Sequence, residues 1–339
     1  MTFGFLGASS AAIAAPDVIG TCDTVSAVEV EATAGTLGPT GYTTLKLAFD
    51  AINAGTHQGA INVEVCLSTT EGTTPATLNS SGAGAAAYTA VGVRPLVDGL
   101  TITGNPATGF GVIQLKGADN VTIDGDNPNT AGTNRDLTIN NTNTTTAIAG
   151  SVIRIATSTV ASTVISADNN TIRNLVLNGN VTNGNAAAIT LATSSSNSSF
   201  VIYAGGNGGA SATDAPTAIT SVTANTAISG TTINNLVISN NAINQAARAI
   251  VFNGAAASVA TTLTISDNLI GAAGSLVGAP PFTAPASTVY TKGIWINGAN
   301  GISVSGNSLR NILSFVATTM TGVELVGAIG ASVNISNNT

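Results

Sequence analysis

Eight short segments of the chain follow one pattern: apolar, variable, apolar, small or polar, a turn residue, then Asn or a near substitute. They open at Leu100, Val121, Leu137, Leu175, Leu236, Leu263, Ile302 and Val333; Leu236-Val237-Ile238-Ser239-Asn240-Asn241 is typical. The alternation sends the first and third residues to one face and the middle residue to the other. A unit repeated in this way decides the architecture ahead of any local propensity. It predicts an all-β chain in which each unit is one short strand ending in a tight polar corner, that is, a β-solenoid.

A second set of apolar triplets precedes many of these units: Ile113-Gln114-Leu115, Ile153-Arg154-Ile155, Ile189-Thr190-Leu191, Ile250-Val251-Phe252, Ile294-Trp295-Ile296 and Val323-Glu324-Leu325. Each turn of the solenoid is therefore expected to hold at least two strands. About ten turns at roughly 4.8 Å would make a rod near 50 Å long. The stretches 192–231 and 271–287 read as surface insertions. At the corners, Gly104, Gly125, Gly179 and Gly306 are expected to take positive φ, with Asn240, Asp267 and Asn337 as the next best types. Asn105, Asn180, Asn241, Asn268, Asn307 and Asn338 follow them. These amides are expected to satisfy corner backbone groups and to stack as a ladder.

One segment breaks the pattern. Leu45, Ala48, Phe49 and Ile52 fall on one helical face, with Thr43 or Thr44 to start the helix and Gly55 to end it. This amphipathic helix is read as a lid on the open N-terminal end of the core, over a first strand at Ile61-Asn62-Val63-Glu64-Val65. The chain then divides into a targeting segment (1–15), a cap (16–60) and a parallel β-helix (61–339). It stops at Thr339, just after a corner, which predicts further domains of a longer polypeptide or end-to-end association.

Composition narrows the function classes. Charged residues are 7% of the 339 while 44% are hydrophobic, so solubility rests on Thr, Ser and Asn. A net charge of −7 with nine Lys plus Arg leaves no basic patch for a phosphate backbone, and nucleic acid is not an expected partner. No apolar run is long enough to insert in a bilayer. The apolar start, with Ala12-Ile13-Ala14 as a small-residue cleavage site, points to export, although no Lys or Arg precedes Lys46. In an exported chain the two cysteines, Cys22 and Cys66, are expected to form one disulfide.

The runs 42–55 (YTTLKLAFDAINAG) and 117–125 (GADNVTIDG) resemble secreted right-handed parallel β-helix proteins of bacterial surfaces, of the type found in Bacteroidetes and sharing the pectate-lyase-like fold. The resemblance spans residue 40 to the end. It implies right-handedness and extracellular or cell-surface placement. It does not fix an activity, because this fold serves adhesins, surface fibres and polysaccharide-degrading enzymes alike.

The chemistry on offer is sparse. Asp124, Asp126 and Asp136 are the tightest acidic group; oxygen ligands at that spacing are the candidate calcium site, and no other cofactor is expected. The sole histidine, His57, is read as a loop residue. Among the outward positions of the second set, Trp295, Arg154 and Glu324 are the candidate ligand contacts; Trp295 serves either as a sugar platform or as a residue covered by the Pro-rich stretch before it. The sequence reading is a secreted structural or adhesive module, not an enzyme, displaying loops and a polar strand face to a glycan or surface protein. The rival readings are a polysaccharide lyase or glycoside hydrolase centred on Asp124, and an ice-binding face built on outward Thr residues.

Overall fold

The alternating segments pair as parallel strands in three sheets, and a single helix is present among the described residues. The computed structural model describes residues 20–143, 150–160, 163–180, 199–207, 219, 231–254, 261–271, 289–312, 321–327 and 329–339. The segment 1–15 and the triplet 189–191 lie outside them.

The strands visit the sheets in rotation. His57–Val65 lies in the first sheet, Thr69–Gly72 in the second and Ala76–Asn79 in the third; Tyr88–Pro95, Leu100–Gly104 and Gly111–Lys116 then repeat the cycle. The order holds to the last strand, Ser332–Ser336, in the first sheet. This is consistent with a β-solenoid. The first sheet has ten strands, of which Thr40–Tyr42 and Val28–Gly35 are antiparallel additions at its N-terminal edge. Among the described residues the remaining eight are parallel and span about 34 Å at the usual spacing, against about ten turns expected.

The eight repeat segments do not share one face. Those at Leu100, Leu137 and Leu175 pair in the second sheet, while those at Val121, Leu236, Leu263, Ile302 and Val333 belong to the first. Both sheets need the same strand followed by the same sharp corner, so local sequence does not separate them. The second set of triplets lies in the third sheet wherever it is described. Between Ser151–Val160 and Ala246–Asn253, however, the partner is Phe200–Asn207, inside the stretch read as an insertion. Its run Phe200-Val201-Ile202-Tyr203-Ala204 is apolar on both faces and so lacks the alternation that marks the others.

Inward side chains of all three sheets form one core. Leu175, Leu236 and Leu263 belong to the same cluster, as do Ile113, Ile153, Ile202, Ile250 and Ile294 in the third sheet. Each such burial is worth about 1.5–3 kcal/mol. At the far end Val333 and Ile335 continue the rows of Ile302 and Val304 but are 40% and 47% exposed.

The helix, Leu45–Asn53, buries Leu45, Ala48, Phe49 and Ile52 and packs against the first strand of each sheet, which makes it the lid. The Thr44 hydroxyl accepts from the Leu47 N–H at 3.2 Å. A second cap comes from outside the helix. Glu71, 7% exposed, accepts the Leu45 N–H at 3.0 Å, the Lys46 N–H at 2.8 Å and the Thr69 hydroxyl at 2.7 Å. Two of the four orphan N–H groups are thus met by a carboxylate at the positive end of the helix. Glu71→Ala is expected to destabilise by about 2 kcal/mol, with early proteolysis within 45–53; equal protease resistance of the two proteins would count against this role for Glu71. Cys22 and Cys66 form the expected disulfide.

Candidate functional site

Besides a shorter stack on the second sheet, where Asn244 donates to Asn178 and Asn178 to Asn140, the expected amide ladder forms along one edge. It runs where the first sheet turns into the second. Asn174, Asn240, Asp267, Gly306 and Asn337 take positive φ there (50–70°), and Leu175, Asn241, Asn268, Asn307 and Asn338 follow them. The Nδ2 of Asn241 donates to Asn268 Oδ1 at 3.0 Å, Asn268 to Asn307 at 2.9 Å and Asn307 to Asn338 at 2.9 Å. Each Nδ2 also donates to a carbonyl of the preceding pass: Ile172, Ile238, Ile265 and Val304. Each Oδ1 accepts a backbone N–H as well, ending with Leu175 N–H on Asn241.

Asn105 and Asn180 are not rungs. Both follow strands of the second sheet, where the corner differs. Asn105 is exposed, and Asn180 accepts from the Ser199 hydroxyl. Of the corner glycines, only Gly306 has positive φ. At Gly125 the requirement is space, since a Cβ would lie 2.1 Å from the Asn174 carbonyl oxygen.

The three acids of the proposed calcium loop are turned toward protein donors. Asp124 pairs with Arg173 Nε at 2.7 Å and accepts Asn174 Nδ2 at 2.7 Å and the Asp126 N–H at 3.1 Å. Asp126 accepts the Asn134 N–H at 2.6 Å, and Asp136 the Asn127 N–H at 3.0 Å. Burial raises the Asp136 carboxyl, its bond from Asn127 opposes this, and Asp98 and Asp126 add to the rise. Among the described residues, no group of three or more His, Cys, Asp or Glu is arranged to hold a metal ion. The loop acts as a brace: Arg135 donates to the Asn240 carbonyl and side-chain oxygen, both at 2.7 Å, and Asn129 reaches the carbonyl of Gly20.

Trp295, Arg154 and Glu324 do share a row on the outer face of the third sheet. In-register pairing orders it Gln114, Arg154, Tyr203, Val251, Trp295, Glu324. The row is not an open face. Phe200, Tyr203, Ile219, Val251 and Trp295 form a second apolar cluster, with Trp295 5% exposed and Arg154 fully buried. Ile219, from the segment between Phe200–Asn207 and Leu236–Ser239, lies on this face and is tied by its N–H to the Gly109 carbonyl. Burial lowers the Arg154 guanidinium to about 10, with Tyr203 opposing, and raises the Tyr203 phenol to about 12 against the Asn253 bond and Arg154. Only Glu324 is partly open, paired with Lys292. Trp295 and Arg154 lie three strands apart, about 14 Å. Thr190, of the same set, falls outside the described residues.

His57 is no loop residue. It opens the strand His57–Val65, fully buried, between the Tyr42 hydroxyl at 2.8 Å and the Thr36 carbonyl at 2.7 Å.

The outer face of the first sheet is open along its last four strands. Two in-register rows cross its last four strands, Val237, Thr264, Ser303, Asn334 and Ser239, Ser266, Ser305, Ser336. Toward the N-terminus the second row continues through Arg173, Asp124, Arg94 and Glu64, alternating in charge. No family model matches the chain, and no curated protein or solved structure matches it.

Proposed function

We propose that the chain is a right-handed parallel β-helix serving as a secreted or cell-surface structural and adhesive module, which presents the outer face of its first sheet to a hydroxyl-rich glycan. The rotation of the strands through three sheets supports the helix, and the strong preference of parallel crossovers for one hand supports its handedness. The disulfide and the scarcity of charge fit an oxidising, extracellular setting.

The observation that carries the function is the pair of hydroxyl rows on the first sheet. Their side chains are partly or fully exposed on four neighbouring strands, Val237 and Asn334 being the two without a hydroxyl. Rows repeat about every 4.8 Å and stand about 6.8 Å apart. Hydroxyls both donate and accept, as sugar hydroxyls do, and here the amide ladder fixes their backbone before any ligand arrives.

The test is binding to a panel of extracellular polysaccharides. Thr264→Lys puts a long charged side chain into the first row and is expected to weaken binding at least tenfold, with a melting temperature within about 3 °C of wild type. Binding left intact by Thr264→Lys would remove the face from the reading. Depolymerisation of any polysaccharide, lost in Asp124→Ala, would replace the adhesive module with an enzyme. Thermal hysteresis in the wild-type protein would turn the same rows into an ice-binding face.

A further inference from the structure

The N-terminal end of the first sheet holds an arrangement that the display function does not use. Val28–Gly35 pairs antiparallel with His57–Val65, so that Glu29 stands directly opposite Glu64 and Glu31 opposite Asn62. Like charges placed across from one another destabilise a strand pair. Glu29 is provided for: its carboxylate accepts the N–H groups of Asp23 and Thr24, the latter by a short bond. Glu64 is not. It is 1% exposed, and neither of its carboxyl oxygens has a hydrogen-bond partner.

The roof over Glu64 is the chain just before the first strand. A Cβ on Gly20 would lie 2.2 Å from Glu64 Oε1, so the glycine lies flat against the carboxyl. Asn129 Nδ2 holds the Gly20 carbonyl at 3.3 Å, and the Cys22–Cys66 bond ties the roof to the residue two places after Glu64. The charged groups facing Glu64 are Glu31 and Glu29 from the neighbouring strand, Asp23 from the roof and Arg94 from the next parallel strand. Three are acidic and one is basic.

We propose that Glu64 is a pH-sensitive latch: protonated, it lets the tethered segment Gly20–Thr24 lie closed over the sheet, and ionised, it drives that segment open. An unpartnered carboxyl tolerates burial when neutral, but as an anion it must regain water or a donor. The Cys22–Cys66 bond keeps the opened segment attached, so the change is local and reversible. Burial, with Glu31, Glu29 and Asp23 adding and Arg94 opposing, raises the Glu64 carboxyl to about 7. The sign follows. A folded-state pKa above the open-state value favours closure in acid, and that preference is lost as pH rises from the ordinary carboxyl range through about 7.

Hydrogen exchange of the Asp23 and Thr24 amides reads the latch directly, because both bonds to Glu29 break on opening. After correction for the intrinsic pH dependence of exchange, protection is expected to fall about 30-fold between pH 5.5 and 8.5 in the wild-type chain. In Glu64→Gln, which keeps the shape without the ionisation, it should be flat. A wild-type change below tenfold, or the same change in Glu64→Gln, overturns the latch. If Glu64→Gln does not fold, Glu31→Gln decides: Glu31 adds to the rise of the Glu64 carboxyl, so with that charge gone ionised Glu64 meets less repulsion and the transition must move to lower pH; an unmoved midpoint overturns the proposal.

Discussion

Asn268→Ala is expected to cost about 4 kcal/mol of stability, although the side chain is small, uncharged and far from any chemistry. Asn268 is 1% exposed and uses its whole amide. Its Oδ1 accepts the backbone N–H and the Nδ2 of Asn241, both at 3.0 Å, and its Nδ2 donates to the Ile238 carbonyl and to Asn307 Oδ1, both at 2.9 Å. Alanine removes four bonds worth about 1 kcal/mol each and strands the Asn241 N–H in the interior. Asn268→Asp is no rescue, because a carboxylate has no donor for Ile238 or Asn307 and brings a charge into the wall of the core. Asn105 supplies the control. It also follows a strand and its corner residue, but it is exposed and outside the ladder, so Asn105→Ala should lie within about 0.5 kcal/mol of wild type. Urea unfolding followed by circular dichroism compares the two; equal midpoints would mean that the ladder contributes nothing.

The same pair shows what the sequence made legible. The strand-and-corner unit is local, and so is the lid: Leu45, Ala48, Phe49 and Ile52 need only helical spacing to declare their face, and all four are fully buried. The ladder was legible as chemistry but not as position, because rung formation depends on which sheet a corner leaves. Asn241 and Asn180 carry the same local pattern, yet only Asn241 has an Asn above it in register. Glu71 was invisible for a related reason. It caps a helix 26 residues away from Leu45, and nothing in its own neighbourhood marks it as a cap. His57 and Glu64 were hidden by the antiparallel strand Val28–Gly35, which folds back over the first pass and encloses a region that reads as an exposed edge. A buried acid of this kind leaves one trace in sequence, the acidic string Glu29, Glu31 and Glu64 interleaved with Val28, Val30, Val63 and Val65.

Trp295→Ala is expected to cost about 4 kcal/mol, the usual loss for a large aromatic removed from a packed interior. Alternation correctly sends Trp295 away from the main core. Outward does not mean exposed here, because the third sheet is covered on its outer face as well. The residues beside Trp295 carry the sign of that cover. Tyr203 and Val251 are its row neighbours toward the N-terminus, and a row that is apolar on the outside of a sheet needs something to bury it. A sugar platform and a second core make opposite predictions for the same substitution. A platform residue would leave melting unchanged and abolish binding. A core residue should lower the melting temperature by several degrees and loosen the segment that carries Ile219, so that proteolysis begins between Asn207 and Leu236 before the rest of the chain is cut. Trp295→Phe, which keeps most of the contact with Val251, should recover more than half of the loss. Glu324, next in the row but partly open, should be replaceable by Gln at a cost below about 1 kcal/mol. That contrast between adjacent positions of one row locates the boundary of the second core: it closes over Trp295 and thins out on the strand of Glu324, where partly buried Val326 still packs against it.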